Sequence, residues 1–403
     1  MVTIKEALAL IHAQVKAKRT EILPIESALG QISAESLYAR FDLPRFDNSA
    51  MDGYAVKVED ASKTIECEAT ILAGEKSDAR VTAGKGVRIM TGAPLPEGAE
   101  AVIPIENTQE KEDGIHLPES IKQGANIRKK GEDIAKGEII IEKGERVNSY
   151  TITLLASQGV THLRLFQKPR VTVFATGHEL RMHFETIEPH QIYNSNAPMF
   201  TARSKELGCD TTFTGATADT MDSIKAHITA ALNSDLIVTS GGVSVGDADF
   251  TKEAFKKLGM DVLFEKVDIK PGKPTTLGRI GDTWILNLPG NPTAAAVNFE
   301  LFGRSIIHRL TGMKAPYIAP IETVCGMEKS IKPGRPSVWL GKFDGRAFYP
   351  LPKQGPGMVS PLKKADSMIL LSPEISELKI GMKVKVVSLH CDTTAADAVD
   401  IFT

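Results

Sequence analysis

The sequence predicts a multidomain protein with α/β and all-β parts, and three observations predict it. At 403 residues the chain is too long for one hydrophobic core, so two to four domains are expected. From Pro169 to about 314, apolar strands alternate with capped helices, the pattern of a mostly parallel sheet covered on both faces. On either side, Pro44–Gly144 and the stretch after Gly312 change to short β-type runs broken by Gly, Pro and Asp.

The elements follow in order. Thr3 and Glu6 form a capping box, and Ile4, Leu8, Ile11 and Val15 recur at helical spacing. A short helix is expected at Glu26–Leu29, stopped by Gly30. Cys67–Leu72, Gly86–Met90, Ala101–Ile105 and Glu138–Ile141 read as strands of an inserted β module. Helix returns at Ser149–Ser157, between Asn148 as cap and Gly159 as stop.

In the α/β part, Val171–Thr176 and Asp235–Thr239 are expected as buried strands. Helices are expected at Ala197–Leu207, capped by Asn196, at Asp222–Leu232 and at Phe250–Leu258. Gly281-Asp282 joins Thr275–Ile280 to Thr283–Leu288 as a hairpin. Asn291 then caps a long helix that has Pro292 at its first position. Up to about Leu389 the residues suit a small barrel or sandwich, and those from Cys391 a loose tail.

Composition narrows the function. The formal net charge is −2, so no overall field favours nucleic acid or an acidic membrane, and any anion site is local. Cys67, Cys209, Cys325 and Cys391 form no CxxC pair, which speaks against a zinc site or a disulfide framework and suits a reducing cytoplasm. No apolar run reaches membrane-spanning length, and the N-terminus, with Lys5 and Glu6, reads as an amphipathic helix rather than a signal peptide.

Four constellations could carry chemistry. Lys270-Pro271-Gly272-Lys273-Pro274 has the Pro-Gly order of a type II turn, which would hold two ammonium groups on one platform for an oxyanion. A surface turn with two solvated lysines fits the same residues equally well. Ser240-Gly241-Gly242-Val243-Ser244 follows an apolar strand, where backbone N–H groups can approach a phosphate. Pro289-Gly290-Asn291-Pro292 opens a helix whose N-terminus is a second anion seat, or simply a well-capped helix end. The acidic residues Glu179, Asp219, Asp247 and Asp249 fall on loops that would share the carboxyl edge of one sheet, where carboxylates beside phosphates suit Mg²⁺. Asp219 and Asp249 could equally be helix caps. The fourth, Asp47-Asn48-Ser49-Ala50-Met51-Asp52-Gly53-Tyr54-Ala55-Val56, is a polar loop leading into a strand, and physics alone assigns it no task.

That loop, starting from Phe46, resembles the hallmark of the molybdopterin molybdenumtransferases, the MoeA and gephyrin E-domain family. So do Arg88–Pro94, Asn126–Asp133, Ser240–Asp249, Ile269–Pro274 and Leu288–Pro292, in family order over about 290 residues. The resemblance implies an elongated protomer: an extended helical dimerisation part (1–43 and 145–168), the inserted β module (44–144), a molybdopterin-binding α/β domain (169–314), a C-terminal β-barrel (315–390) and a tail (391–403). It implies a homodimer with a shared active site, acting on adenylylated molybdopterin and molybdate with release of AMP. Contacts with the adenylyltransferase and with target molybdoenzymes are implied too.

The implied roles are these. Asp219 and Asp249 hold Mg²⁺. Ser240, Gly241, Gly242, Ser244, Pro289, Gly290 and Asn291 seat the phosphates or the pterin. Lys270 and Lys273 bind molybdate, Glu179, Asp52 and Asp133 position substrate or relay protons, and Thr91 hydrogen-bonds it. Three positions depart from the family pattern. His178 stands where Asp is usual, which leaves Glu179 as the carboxylate. Leu340 and Pro356 stand where the family usually has an Arg and a Ser thought to help hold molybdate. Either Arg335 or Ser360 compensates, or the oxyanion sits mainly on Lys270 and Lys273, and a changed anion preference, tungstate included, stays open. Two other functions are weighed. The molybdopterin adenylyltransferase shares the α/β fold but normally carries Thr-Gly-Gly-Thr-Gly at its phosphate turn. A non-catalytic scaffold would bind without turnover.

Overall fold

The structure is a computed structural model of the 403-residue chain; it describes all residues except 18, 178, 218–219, 242–249, 390–393, 396, 399, 401 and 403. The chain divides into two compact units. One comprises Met1–Glu35, Lys143–Ser149 and His162–Thr403, and the other Ser36–Glu142 and Tyr150–Thr161.

The larger unit is built on a six-stranded sheet. Its order is Asp210–Thr217, Arg170–Thr176, Leu236–Ser240, Thr283–Leu288, Thr276–Ile280, Asp261–Glu265. The first four strands are parallel and the last two antiparallel. Burial of both faces explains the near-continuous apolar runs. One face packs Phe174, Ile237 and Ile285 against Ile224 and Ile228 of helix Met221–Ala231 and Ala254 and Phe255 of helix Phe250–Lys257. The other packs Val173, Val238 and Leu286 against Phe200 of helix Asn196–Glu206 and Phe299 and Phe302 of the helical run from Pro292. The expected hairpin is present, with Ile280 opposite Thr283 and Gly281 at φ +55°.

The N-terminal capping box forms as expected: Glu6 N–H donates to Thr3 Oγ1 at 3.2 Å, and Thr3 N–H to Glu6 Oε2 at 2.8 Å. Where this helix belongs differs from the expectation. Ile4, Ala7, Ile11 and Val15 share the core of the α/β sheet, and Val2–Thr3 pairs with Val267–Asp268. An apolar stripe identifies a buried face but not the surface that covers it. The rest of the expected helical part mixes strand and helix: Thr20–Pro24 pairs with His162–Phe166, helix Ser149–Ser157 is present, and only a 3₁₀ turn, Ile25–Ser27, stands in place of the expected helix before Gly30.

The C-terminal region is a closed five-stranded barrel of Ile321–Cys325, Ala347–Pro350, Ser337–Phe343, Ser367–Leu371 and Lys383–Ser388. Cys325, Phe348, Ile369, Leu371 and Val384 fill it. Part of the expected loose tail is paired: Thr394–Ala395 with Tyr317–Ile318, and Phe402 with Leu370.

In the smaller unit, Gly53–Val56 lies between Ala101–Pro104 and Lys85–Ile89 in a six-stranded sheet. Gly53 is required there, because a Cβ would stand 2.1 Å from the Ile103 carbonyl oxygen. Helix Ser149–Ser157 has the expected bounds.

Candidate functional site

In the larger unit the parallel strands end together. Ala175 is in register with Ser240, and Ser240 with Leu288, so the turns after these strands share one edge. Gly241, at φ +98°, has room for no side chain: a Cβ would lie 2.3 Å from the Thr176 carbonyl oxygen. A Cβ on Gly290 would in turn lie 3.8 Å from the Gly241 Cα. The two glycine turns expected to seat phosphate are therefore neighbours, as ligand sites of open α/β sheets require. Gly242 and Ser244, with Asp247 and Asp249, lie outside the described residues, as do Asp219 and His178.

Asn196 does not cap its helix as expected. It is the first helical residue, and Asn194 Oδ1 accepts from the Ala197 N–H instead. The Asn196 Nδ2 donates to the Gly290 carbonyl at 2.7 Å and to Ser240 Oγ at 3.3 Å, which ties the two turns together. Its position just before an apolar run made a cap the economical reading; only the fold reveals the bridge.

The turn before the long helix also departs from expectation. Asn291 occupies the cap position but its side chain makes no capping bond. The Thr293 N–H donates to the Pro356 carbonyl at 3.0 Å, the Ala294 N–H reaches the same oxygen at 3.4 Å, and Thr293 Oγ1 donates to the Met358 carbonyl at 2.6 Å. The barrel loop thus occupies the N–H groups that made this helix end an anion seat. The helix from Met221 is capped by Thr220, whose side chain accepts from the Ser223 N–H.

Sequence reading also missed a buried polar row. Thr239, Asn287 and Thr276 are in register across three strands. Among the described residues, neither Thr hydroxyl, nor either amide atom of Asn287, has a hydrogen-bond partner. Asn287 is 0 % exposed, so unused hydrogen-bonding capacity is concentrated one residue below the strand ends. No periodicity rule marks such a residue, because it lies inside an apolar strand.

Pro271 and Gly272 form a turn, and Gly272 has the positive φ, +110°, that the third position of a type II turn requires; the Lys270–Pro271 bond of this segment is cis. Its shape is set by tertiary bonds. Lys270 N–H donates to the Pro336 carbonyl at 2.9 Å, and the Lys270 carbonyl accepts from Val338 N–H at 2.8 Å. Buried Asn298 donates to the Pro271 carbonyl at 3.2 Å and accepts from Thr275 Oγ1 at 3.0 Å. Lys270 lines a cavity of about 370 Å³ between the α/β sheet and the barrel, with Thr293, Ser330, Lys332, Ser337 and Gln354. Lys273 is exposed and does not line it, so the two ammonium groups do not share this wall.

The replacements expected for the missing family residues are elsewhere. Arg335 and Ser360 are exposed and do not line the cavity, whereas Lys332 does. Leu340 is 1 % exposed in the main core, a place with no room for a solvated guanidinium. Glu179 is exposed, with its carboxylate folded close over Gly177.

In the smaller unit, Asp52 accepts from the Thr91 N–H at 2.6 Å and from Thr91 Oγ1 at 2.8 Å. The backbone bond, then the side-chain bond, hold its carboxyl below the usual aspartate range, with Arg88 adding to the effect. Asp133 is exposed on a loop fixed from both sides. Its N–H donates to the Leu43 carbonyl at 3.0 Å, while Asp47 accepts from Lys129 Nζ and the Lys130 N–H, each at 2.8 Å. The lysines of the Asn126–Asp133 stretch therefore brace the loop that carries Asp133.

Fold and site together define a multidomain protein with an α/β sheet whose strand ends carry two adjoining glycine turns, and a closed barrel beside a cavity that Lys270 and Lys332 line. Residues 2–159 match the family model of the MoeA N-terminal region (domain I and II), and 172–309 that of a probable molybdopterin binding domain. The chain belongs to the molybdopterin molybdenumtransferase family. It is 35% identical over 400 residues to the molybdopterin molybdenumtransferase of Staphylococcus epidermidis, covering 96% of this chain and 95% of that protein. With the Haemophilus influenzae enzyme of the same name, identity is 34% over 407 residues, covering 96% and 98%. A solved molybdopterin biosynthesis MoeA protein from Pyrococcus horikosii superposes with a TM-score of 0.84 at 31% identity, covering 96% of this chain and 99% of that one. Among the described residues, no helix is long and apolar enough to cross a membrane.

Proposed function

We propose that this protein inserts molybdate into adenylylated molybdopterin and releases AMP. The observation that carries this reading is a cavity with lysine and hydroxyl side chains and no carboxylate on its walls, in a unit whose sheet edge carries two adjoining glycine turns. The substrate's phosphates lie on Ser240, Gly241 and Gly290, with Gly242, Ser244, Pro289 and Asn291 flanking them. Molybdate binds through Lys270 and Lys273, with Lys270 on the cavity wall. The sulfur ligands of the metal come from the substrate. Asp52, ionised at neutral pH, accepts hydrogen bonds or a proton rather than supplying one, and Thr91, Asp133, Glu179 and Arg335 orient substrate.

A divalent cation, Mg²⁺, belongs to the same proposal. Asp219 comes two residues after the strand that ends at Thr217, and Asp249 directly precedes the helix that begins at Phe250. Carboxylates that close in sequence to a phosphate-binding edge are suitable hard ligands, and the ion offsets the pyrophosphate charge. A homodimer in the cytoplasm completes the reading, with a second copy supplying Asp52, Thr91 and Asp133. The adenylyltransferase and the recipient molybdoenzymes are its transient partners.

The test is incubation of the purified chain with adenylylated molybdopterin, Mg²⁺ and molybdate. Release of AMP with active cofactor supports the proposal, and Lys273→Ala should slow the molybdate-dependent rate. ATP consumption would point to adenylylation instead, and binding without turnover to a scaffold. Recovery of activity on mixing Asp52→Ala with Lys273→Ala chains tests the shared site.

A further inference from the structure

The cavity between sheet and barrel holds more cationic machinery than Lys270. Two lysines lie on the barrel segment 329–335, and they are not equivalent. Lys329 is engaged: its Nζ donates to the Pro352 carbonyl at 3.0 Å and stands 5.9 Å from the centre of the Trp339 ring. Lys332 lines the cavity, and among the described residues its ammonium group has neither an ion pair nor a hydrogen bond, as is also true of Lys270. The backbone on either side of Lys332 is fixed. Ile331 N–H donates to the Ser376 carbonyl at 2.8 Å and Gly334 N–H to the Pro373 carbonyl at 3.0 Å. Lys270 is fixed to the same barrel through Pro336 and Val338.

Lys270 and Lys332 are both exposed, so water screens their ammonium groups, and an anion that enters the cavity and displaces that water meets two cations with no other partner among the described residues. Gln354, the amide on these walls, is committed elsewhere: it accepts from the Leu340 N–H at 2.7 Å and donates to the Leu340 carbonyl at 3.1 Å. The helix N-terminus at Thr293 is occupied by the Pro356 carbonyl. The charge available to an anion here therefore comes from the two lysines. We propose that Lys332 is an oxyanion-binding residue that, together with Lys270, clamps the tetrahedral dianion between the α/β sheet and the barrel. This rests on the transferase reading above and assigns to Lys332 the work that neither Leu340 nor Arg335 is placed to do.

The test uses the full chain as wild type, Lys332→Ala, Lys332→Arg and Lys270→Ala. Molybdate alone is titrated calorimetrically, and AMP release is followed against molybdate concentration. Loss of one charge-assisted hydrogen bond should raise the half-saturating molybdate about tenfold in Lys332→Ala, with a smaller effect on the rate at saturation. Lys332→Arg should recover most of the affinity. Unchanged molybdate dependence in Lys332→Ala beside an impaired Lys270→Ala would overturn the clamp and leave the transferase reading intact. Absence of AMP release from wild type would overturn the transferase reading; the calorimetric titration, which needs no turnover, then still decides Lys332. Weaker molybdate binding in Lys332→Ala would support it, and unaltered binding would overturn it.

Discussion

Thr91 donates twice to Asp52, from its backbone N–H at 2.6 Å and from its hydroxyl at 2.8 Å. Two stretches of the smaller unit, nearly forty residues apart in sequence, are thereby joined at one carboxylate. The depressed pKa means the carboxylate is ionised above the ordinary aspartate range, and the bonding is lost only as pH falls through its lowered value. Thr91→Val removes the hydroxyl bond but keeps the backbone one. We expect the Asp52 titration, followed by carboxyl-carbon NMR, to move upward toward the ordinary aspartate range without reaching it. An unmoved midpoint would mean that the hydroxyl contributes nothing.

Asn196 ties Ser240 to Gly290, and its removal takes this donor from the buried Ser240 hydroxyl and from the Gly290 carbonyl. Asn196→Ala should cost about 1–3 kcal/mol in urea unfolding, the usual penalty for an orphaned buried group. It should also raise the KM for the phosphorylated substrate more than it lowers kcat, because it loosens the seat and leaves the oxyanion cavity in place. A normal KM in a destabilised variant would limit Asn196 to a structural role.

Gly272 and Asn298 are coupled by space. A Cβ on Gly272 would fall 1.8 Å from Asn298 Nδ2. Gly272→Ala is expected to destabilise by about 1–3 kcal/mol, through the clash and the positive φ. Combined with Asn298→Ala, part of that cost disappears, so the double mutant should be more stable than the sum of single effects by on the order of 1 kcal/mol. Strict additivity would show that the Lys270 loop relaxes independently of Asn298.

His12 is buried against the Tyr317 ring, with centroids 4.0 Å apart. Burial, then the charge of Arg309, lowers its pKa from 6.5 to about 4. The unfolded chain therefore takes up a proton between these values that the folded chain refuses. The neutral-histidine contribution to stability is full above about 6.5 and lost as pH falls toward 4. Urea unfolding should show wild type losing on the order of 1 kcal/mol more than His12→Phe between about pH 7 and pH 5. Parallel losses in the two proteins would place the pH sensitivity elsewhere.

Much of the larger unit was legible because its elements are marked locally. The apolar runs 171–176 and 283–288, the Gly281-Asp282 hairpin and the capping box at Thr3 and Glu6 each carry their own instruction. Helix caps were legible in position but not in bonding: Asn291 stands at a helix start without capping it, and Asn196 bonds across the sheet edge. Both asparagines offer the same groups, and which partner they meet depends on chain segments nearly a hundred residues away or on none at all.

The order of elements, the two glycine turns and the Asp52 loop are thus written in the sequence itself, because glycine conformation, proline and side-chain period act over a few residues. The tertiary structure alone decided that Pro356 fills the helix end at Thr293, that Leu340 is core, and that Lys332 rather than Arg335 shares a cavity with Lys270. Those outcomes depend on how a barrel docks against a sheet, and docking is governed by the summed packing of many side chains, to which no short stretch of sequence holds the key.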